Sequence, residues 1–253
     1  MKTTEAMIKQ GYWLFHYRSY LPIILILFSL ACIWYNKTLY SYESIWFDMG
    51  CLLIAICGEI IRIIAVGYSA DKTSGRNTKK QVAAEINQTG IYSIVRHPLY
   101  IGNFFMWFGI SLYTRIWWVV AIFLFIYLLY YERIIIAEED YLTGKFGEEY
   151  ALYASKTPCI IPNLKDYIPN KYFFRARKVL RKENASLFGL IVVFVLMEIF
   201  QDYAHFQKIN LELHWQLIGI LGTTLYLVLR LLKKRTRILH NERQIQKNLK
   251  EEQ

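Results

Sequence analysis

The run from Thr89 to Gly102 (TGIYSIVRHPLYIG) brings a guanidinium, an imidazole and two phenols to one turn, which leads straight into an apolar segment. Gly90 can take φ > 0, and Pro98, lacking an N–H, suits the first turn of a helix. Arg96, His97 and Tyr100 are thereby presented where a membrane-grade helix meets water. A second polar set follows: Glu138, Glu139 and Asp140, then Phe146, Gly147, Tyr150, Tyr153, Thr157-Pro158 and Ile161-Pro162. Carboxylates and the faces of Tyr92, Tyr100, Tyr150 and Tyr153 attract cations. His97 can hydrogen-bond through either ring nitrogen. Two interfacial segments can thus converge on one site at the bilayer edge, a place for chemistry on a molecule with a lipid tail.

On the preceding apolar segment lies a less ordinary pair. Glu59 and Arg62 stand at i, i+3 inside an apolar run. Ionisable groups inside a membrane segment are costly and are functional candidates for that reason. Arg62, together with Arg96, could clamp an anionic acceptor such as a carboxylate or phosphate; a structural ion pair, or snorkelling of Arg62 to the headgroups, is the alternative. Asp48, near the other end of the same run, is expected to be solvated.

The elements that must hold these groups are read from composition and hydropathy. The 253 residues are 55% hydrophobic and 17% aromatic, with a mean hydropathy of +0.22. Those values suit a small polytopic membrane protein rather than a soluble domain. Six apolar segments stand out, at about 21–35, 45–68, 99–113, 116–131, 185–200 and 215–232. The expected fold is therefore an all-α polytopic membrane helix bundle with its site at the cytoplasmic edge. Tyr12, Trp13, Phe15 and Tyr17 would extend the first segment into the interface. The third and fourth form a tight hairpin around Thr114-Arg115. Glu132 to Lys145 continues the fourth helix out of the membrane to Gly144 and Gly147, a second short helix spans 147–155, and 157–162 is an extended stop. The division expected is 1–68 as N-terminal membrane helices, 69–165 as the cofactor-binding core, and 166–253 as an accessory hairpin and basic tail.

The net charge of +10 is concentrated at segment ends, as in Lys233, Lys234, Arg235 and Arg237. That placement points to a membrane surface and argues against nucleic acid. With the N-terminus inside, the outer loops hold only Lys37, Arg115 and Lys208, so both termini and both motif segments are expected in the cytoplasm. No short apolar stretch precedes a small-residue cleavage site, so no removable signal peptide is expected. Cys32, Cys51, Cys57 and Cys159 form no C-x-x-C pair, so they read as small buried hydrophobes, with neither disulfides nor a metal site expected.

The ordered set Gly90, Tyr92, Val95 to Pro98, Tyr100, Gly102, Glu138, Glu139, Leu142, Phe146, Gly147, Tyr150, Tyr153, Ile161 and Pro162, preceded by Gly58 and Arg62, resembles the isoprenylcysteine carboxyl methyltransferase family and its phospholipid-methyltransferase relatives. The resemblance spans about residues 50 to 165. It implies S-adenosylmethionine as cofactor, held by His97, Pro98, Tyr100 and Gly102 and by Glu138 and Glu139, and a lipid or lipidated acceptor. No G-x-G-x-x-G appears, so a Rossmann-type cofactor domain is not expected. The competing reading is a membrane reductase using a reduced nicotinamide cofactor, like the sterol reductases. Pro98 in the turn, Asn103 where that family has an acid, and the added Glu138-Glu139 favour the methyltransferase. Isoprenylcysteine carboxylate, a phospholipid amine, a lipid phosphate and a small thiol are all compatible acceptors. An anionic oxygen is the one expected, since it needs no general base and Arg62 could place it.

Overall fold

The computed structural model describes residues 2–36, 44–71, 73 and 81–235, and within them every regular element is helical. The order is α1 (Lys2–Tyr17), α2 (Leu21–Tyr35), α3 (Ile45–Tyr68), α4 (Ile91–Ile94), α5 (Pro98–Tyr113), α6 (Trp117–Phe146), α7 (Glu148–Lys156), a 3-10 turn (Leu164–Asp166), α8 (Ala176–Phe206) and α9 (Leu213–Arg235). Lys37, positions 74–80 of the expected inner segment, and Arg237 with the rest of the basic tail lie outside the described residues.

Four helices, α3, α6, α8 and α9, are long and apolar enough to cross a membrane, and α1 with α2 makes a fifth span if that pair, bent by 78°, counts as one. Six segments refine to this number for a physical reason. With 16 residues, α5 falls short of the roughly 20 a spanning helix needs. It nevertheless packs as the hairpin partner of α6 across Thr114, Arg115 and Ile116. α6 does run on past the apolar window to Phe146, where Gly147 takes φ 56 and starts α7. α8 begins at Ala176, well before its apolar stretch.

Two expectations are corrected. The aromatic N-terminal stretch is not an extension of α2 but a separate helix laid along the C-terminal half of α6. A Cβ at Gly11 would sit 2.0 Å from the Arg133 carbonyl oxygen and 2.7 Å from Ala137 Cβ, so glycine is what allows that approach. Phe15, Tyr130 and Ile134 form the small core between the two helices. Asp48 is not solvated either. It is buried, 2.6 Å from the Arg115 guanidinium, because Arg115 takes φ 58 and folds back onto α3.

The main core joins α2, α3, α5, α8 and α9 around Ile33, Ala55, Ile110, Tyr113, Phe194 and Trp215. Its tightest seam is α3 against α5. A Cβ on Gly58 would lie 2.4 Å from the Gly102 carbonyl, and one on Gly109 2.5 Å from the Cys51 carbonyl. Small residues at such a crossing let backbones touch, the main source of helix association where lipid removes the hydrophobic drive. Gly102 was expected to hold cofactor. It lies in this seam, against Gly58 and Arg62 Cγ, and it is absent from the cavity wall described below.

Gly102→Ala should therefore lower thermal stability in detergent, by the ~1–3 kcal/mol typical of overpacking, because the new methyl meets backbone. Gly144→Ala, with nothing within 4 Å, should raise it by up to about 1 kcal/mol through helix propensity. Equal shifts in the two variants would contradict a tight seam.

Candidate active site

Two irregular segments build the site by satisfying each other. Gly90 takes φ 62 and starts the single turn of α4; Val95 is then extended and His97 (φ −120, ψ 59) non-helical, so Pro98 opens α5 at its first turn. The stretch after α7 runs beside this turn. Arg96 N donates to the Pro158 carbonyl (2.9 Å), Asn163 N to that of Ile94 (2.9 Å) and Gly90 N to that of Ile168 (2.8 Å). Ile168 N donates to Ser93 Oγ (2.8 Å). Buried backbone polar groups need such partners, so the segment 157–168 and the motif turn hold one another in register.

The motif side chains meet the end of α6. His97 Nε2 lies 3.0 Å from Glu139 Oε1, and its Nδ1 3.6 Å from Glu138 Oε2. The Tyr100 ring stacks on the imidazole at 5.5 Å, and its hydroxyl donates to Glu138 Oε2 at 2.5 Å. Arg96 donates from Nε to Glu139 Oε1 at 2.9 Å, with Nη2 at the same distance from that oxygen, and from Nη1 to the carbonyls of Ala154 and Thr157 at 2.6 and 2.8 Å. Tyr153 donates to the Tyr92 carbonyl at 2.7 Å. Burial alone would lower the pKa of His97, but hydrogen bonds with Cys159, Glu138 and Glu139 outweigh it and raise it well above 6.5. Burial, and next the Glu139 charge, raise that of Tyr150.

These groups border a cavity of about 780 Å³, within the usual range of ligand sites. Tyr92, His97, Pro98, Tyr100, Glu138, Tyr150 and Tyr153 line it, as do Arg62 and Arg96. Glu139 does not: it stands behind His97 and Arg96 and pins both. The paired carboxylates thus divide, Glu138 towards the cavity and Glu139 towards its support. Arg96, expected as an acceptor clamp, is spent on Glu139 and two carbonyls. Arg62 is differently placed, with Glu183 Oε2 at 2.6 Å and Asn103 Oδ1 at 2.5 Å. The ring faces, the Glu138 carboxylate and the buried Tyr150 hydroxyl, which has no hydrogen-bond partner, suit a cofactor that carries cations and polar groups.

Several residues escaped the sequence reading. Tyr131 accepts from Asn103 Nδ2 (3.0 Å); its signal was the i, i+4 spacing with Tyr127, whose ring stacks on it at 4.3 Å. Lys182, Glu183 and Ser186 of α8 also line the cavity, and a charge among many basic residues gives no sequence signal. Cys159 is not a buried hydrophobe but a polar neighbour of the site, its Sγ 3.8 Å from Glu139 Oε1, and Cys57 is exposed. His97, Glu139 and Cys159 place one ligand atom each within 4.8 Å of one another. Sequence spacing was therefore no guide to metal-ligand types here, although Arg96 already holds the same carboxylate oxygen.

The raised His97 pKa carries a sign. A histidine that is more basic when folded contributes stability fully below its unfolded pKa of about 6.5, and loses it as pH rises through the folded value. The melting temperature of the protein should exceed that of His97→Asn most near pH 6, and the gap should narrow in alkaline buffer. A gap that widens with pH would show His97 buried in its neutral form.

Comparison with known proteins follows the same geography. Residues 45–149 match the model of the family described as phospholipid methyltransferase. The nickel-cobalt-cadmium resistance protein NccN of Alcaligenes xylosoxydans xylosoxydans is 29% identical over 124 residues, 49% of this chain and 55% of that protein. The cobalt-zinc-cadmium resistance protein CzcN of Cupriavidus metallidurans is 27% identical over 144 residues, 57% and 63% of the two chains. Protein-S-isoprenylcysteine O-methyltransferase of Saccharomyces cerevisiae is 35% identical over 115 residues, 45% and 48%. The chain thus spans between 48% and 63% of the length of these relatives. No solved structure matches it. The part of the chain that matches the phospholipid methyltransferase family, 45–149, is the part that carries Arg62, the motif turn and the paired carboxylates.

Proposed function

We propose that this integral membrane protein is a methyltransferase that uses S-adenosylmethionine on a lipid or lipidated acceptor at the membrane edge. The observation that carries the reading is the single cavity in which Glu138, stacked aromatic rings and Arg62 face a common space. Bound there, S-adenosylmethionine would supply a methyl group activated by a sulfonium. Glu138 would meet its ammonium, the faces of Tyr92 and Tyr100 its cationic parts, and the Tyr150 hydroxyl a polar group of either substrate. Tyr100 and His97 keep the Glu138 carboxylate in place.

An acceptor with an anionic oxygen needs no proton removed, so no catalytic base is required. The chain's contribution is then alignment and exclusion of water, effects that supply ~7–11 kcal/mol in well-oriented systems. Arg62 would place the anion. The reductase reading is not favoured: the family match and the relatives named O-methyltransferases point to methyl transfer.

Calorimetry in detergent tests the cofactor. S-adenosylhomocysteine should bind and a reduced nicotinamide cofactor should not. Glu138→Gln should weaken that binding at least tenfold, about 1.4 kcal/mol. Nicotinamide binding in place of S-adenosylhomocysteine would overturn the proposal, and unchanged affinity in Glu138→Gln would remove Glu138 from the cofactor site.

The distribution of Lys and Arg supports an orientation with the site in the cytoplasm. In a background without native cysteines, a cysteine at Lys208 should react with an impermeant thiol reagent outside intact cells, while one at Lys165 should not. The opposite pattern would reverse the orientation and cut the site off from cytosolic cofactor.

A further inference from the structure

α8 lies outside the stretch matched by the family, yet it closes one wall of the cavity with Lys182, Glu183, Ala185 and Ser186. It also grips both members of the Glu59–Arg62 pair on α3. Ser186 Oγ donates to Glu59 Oε2 at 3.1 Å. Glu183 Oε2 accepts from Arg62 Nε at 3.0 Å and from Nη2 at 2.6 Å, while Arg62 Nη1 donates to Asn103 Oδ1 at 2.5 Å. A guanidinium carries five N–H donors. Three are taken, and two remain on a side chain that borders the cavity, the number a carboxylate or phosphate uses in a two-bond contact. Arg96 is engaged elsewhere: its Nε and Nη1 donate to Glu139 and to the carbonyls of Ala154 and Thr157, with Nη2 2.9 Å from the same Glu139 oxygen. Glu183 is itself 5% exposed, so its carboxylate has little water to turn to. Fixing a long, rotamer-rich arginine before the ligand arrives removes an ordering cost from binding.

We propose that Glu183 is a positioning residue: it holds Arg62 so that the two remaining N–H groups meet the anion of the lipid acceptor, and α8 thereby sets a preference for anionic over neutral acceptors. The inference rests on the methyltransferase reading. It differs from a plain structural ion pair in predicting a change of selectivity, not only of stability.

The test uses the full chain in detergent with S-adenosylhomocysteine present, and two probes, an S-prenylated cysteine with a free carboxylate and the same compound as its carboxamide. The unaltered protein should bind the acid at least tenfold more tightly than the amide. In Glu183→Gln that ratio should fall below about threefold, with S-adenosylhomocysteine affinity within twofold. A ratio unchanged in Glu183→Gln overturns the proposal, as does equal or absent binding of both probes by unaltered protein that binds S-adenosylhomocysteine. If Glu183→Gln no longer binds S-adenosylhomocysteine, Glu183→Asp decides in its place: a fallen ratio supports the positioning role and an unchanged one overturns it. Failure of the unaltered protein to bind S-adenosylhomocysteine would instead sink the methyltransferase reading itself.

Discussion

A guanidinium inside a membrane helix needs partners, and much of this architecture follows from supplying them to Arg62. Water cannot offset its charge there, and an unpaired ion in such surroundings is costly. The partners come from three helices: Glu59 on its own, Asn103 on α5 and Glu183 on α8. α5 can bring Asn103 close only because Gly58 and Gly102 let its backbone touch α3. α8 brings Glu183 only because it begins as a helix in its basic stretch, where Arg175 N donates to the Gly67 carbonyl and Lys178 Nζ to Ser69 and Ala70 at the end of α3. One buried charge thus joins the tight seam, the cavity wall and the third helix.

The other half of the site obeys a backbone constraint. The motif turn cannot be helical through His97 and still present Pro98 as the first residue of α5. Its freed N–H and C=O groups must be satisfied elsewhere, and the segment after α7 does so. Arg96 completes the arrangement by fastening that segment to α6 through Glu139. The edge of the cavity is therefore made by residues that line it, backed by others that hold them still. This division separates Glu138 from Glu139 and Arg62 from Arg96, although each pair is chemically alike.

At the opposite ends of the same helices, polar groups are also paired. Asp48 meets Arg115, whose guanidinium also lies 4.7 Å over the Phe47 ring. Tyr113 donates to Glu198, and Gln201 caps the Tyr113 carbonyl at 3.0 Å. These contacts close the α5–α6 hairpin against α3 and α8.

Sequence alone determined the helical class, the bounds of α2, α3 and α5 to within a residue, and the stretch that matches the phospholipid methyltransferase family. Each depends on local signals: apolar runs, Gly90 at positive φ, Pro98 at a helix start, Gly147 after one. Sequence also placed the two polar segments together, since the resemblance orders them. It could not tell that Gly102 packs against Gly58, that α1 is a helix of its own, that Asp48 is buried, or that Cys159 stands beside His97. Those outcomes depend on which helix lies across which, and no local pattern encodes a crossing. Glu183 makes the point most sharply. In the chain it is one acid in a basic stretch, 121 positions from Arg62, and only the packing of α8 on α3 makes the two a pair.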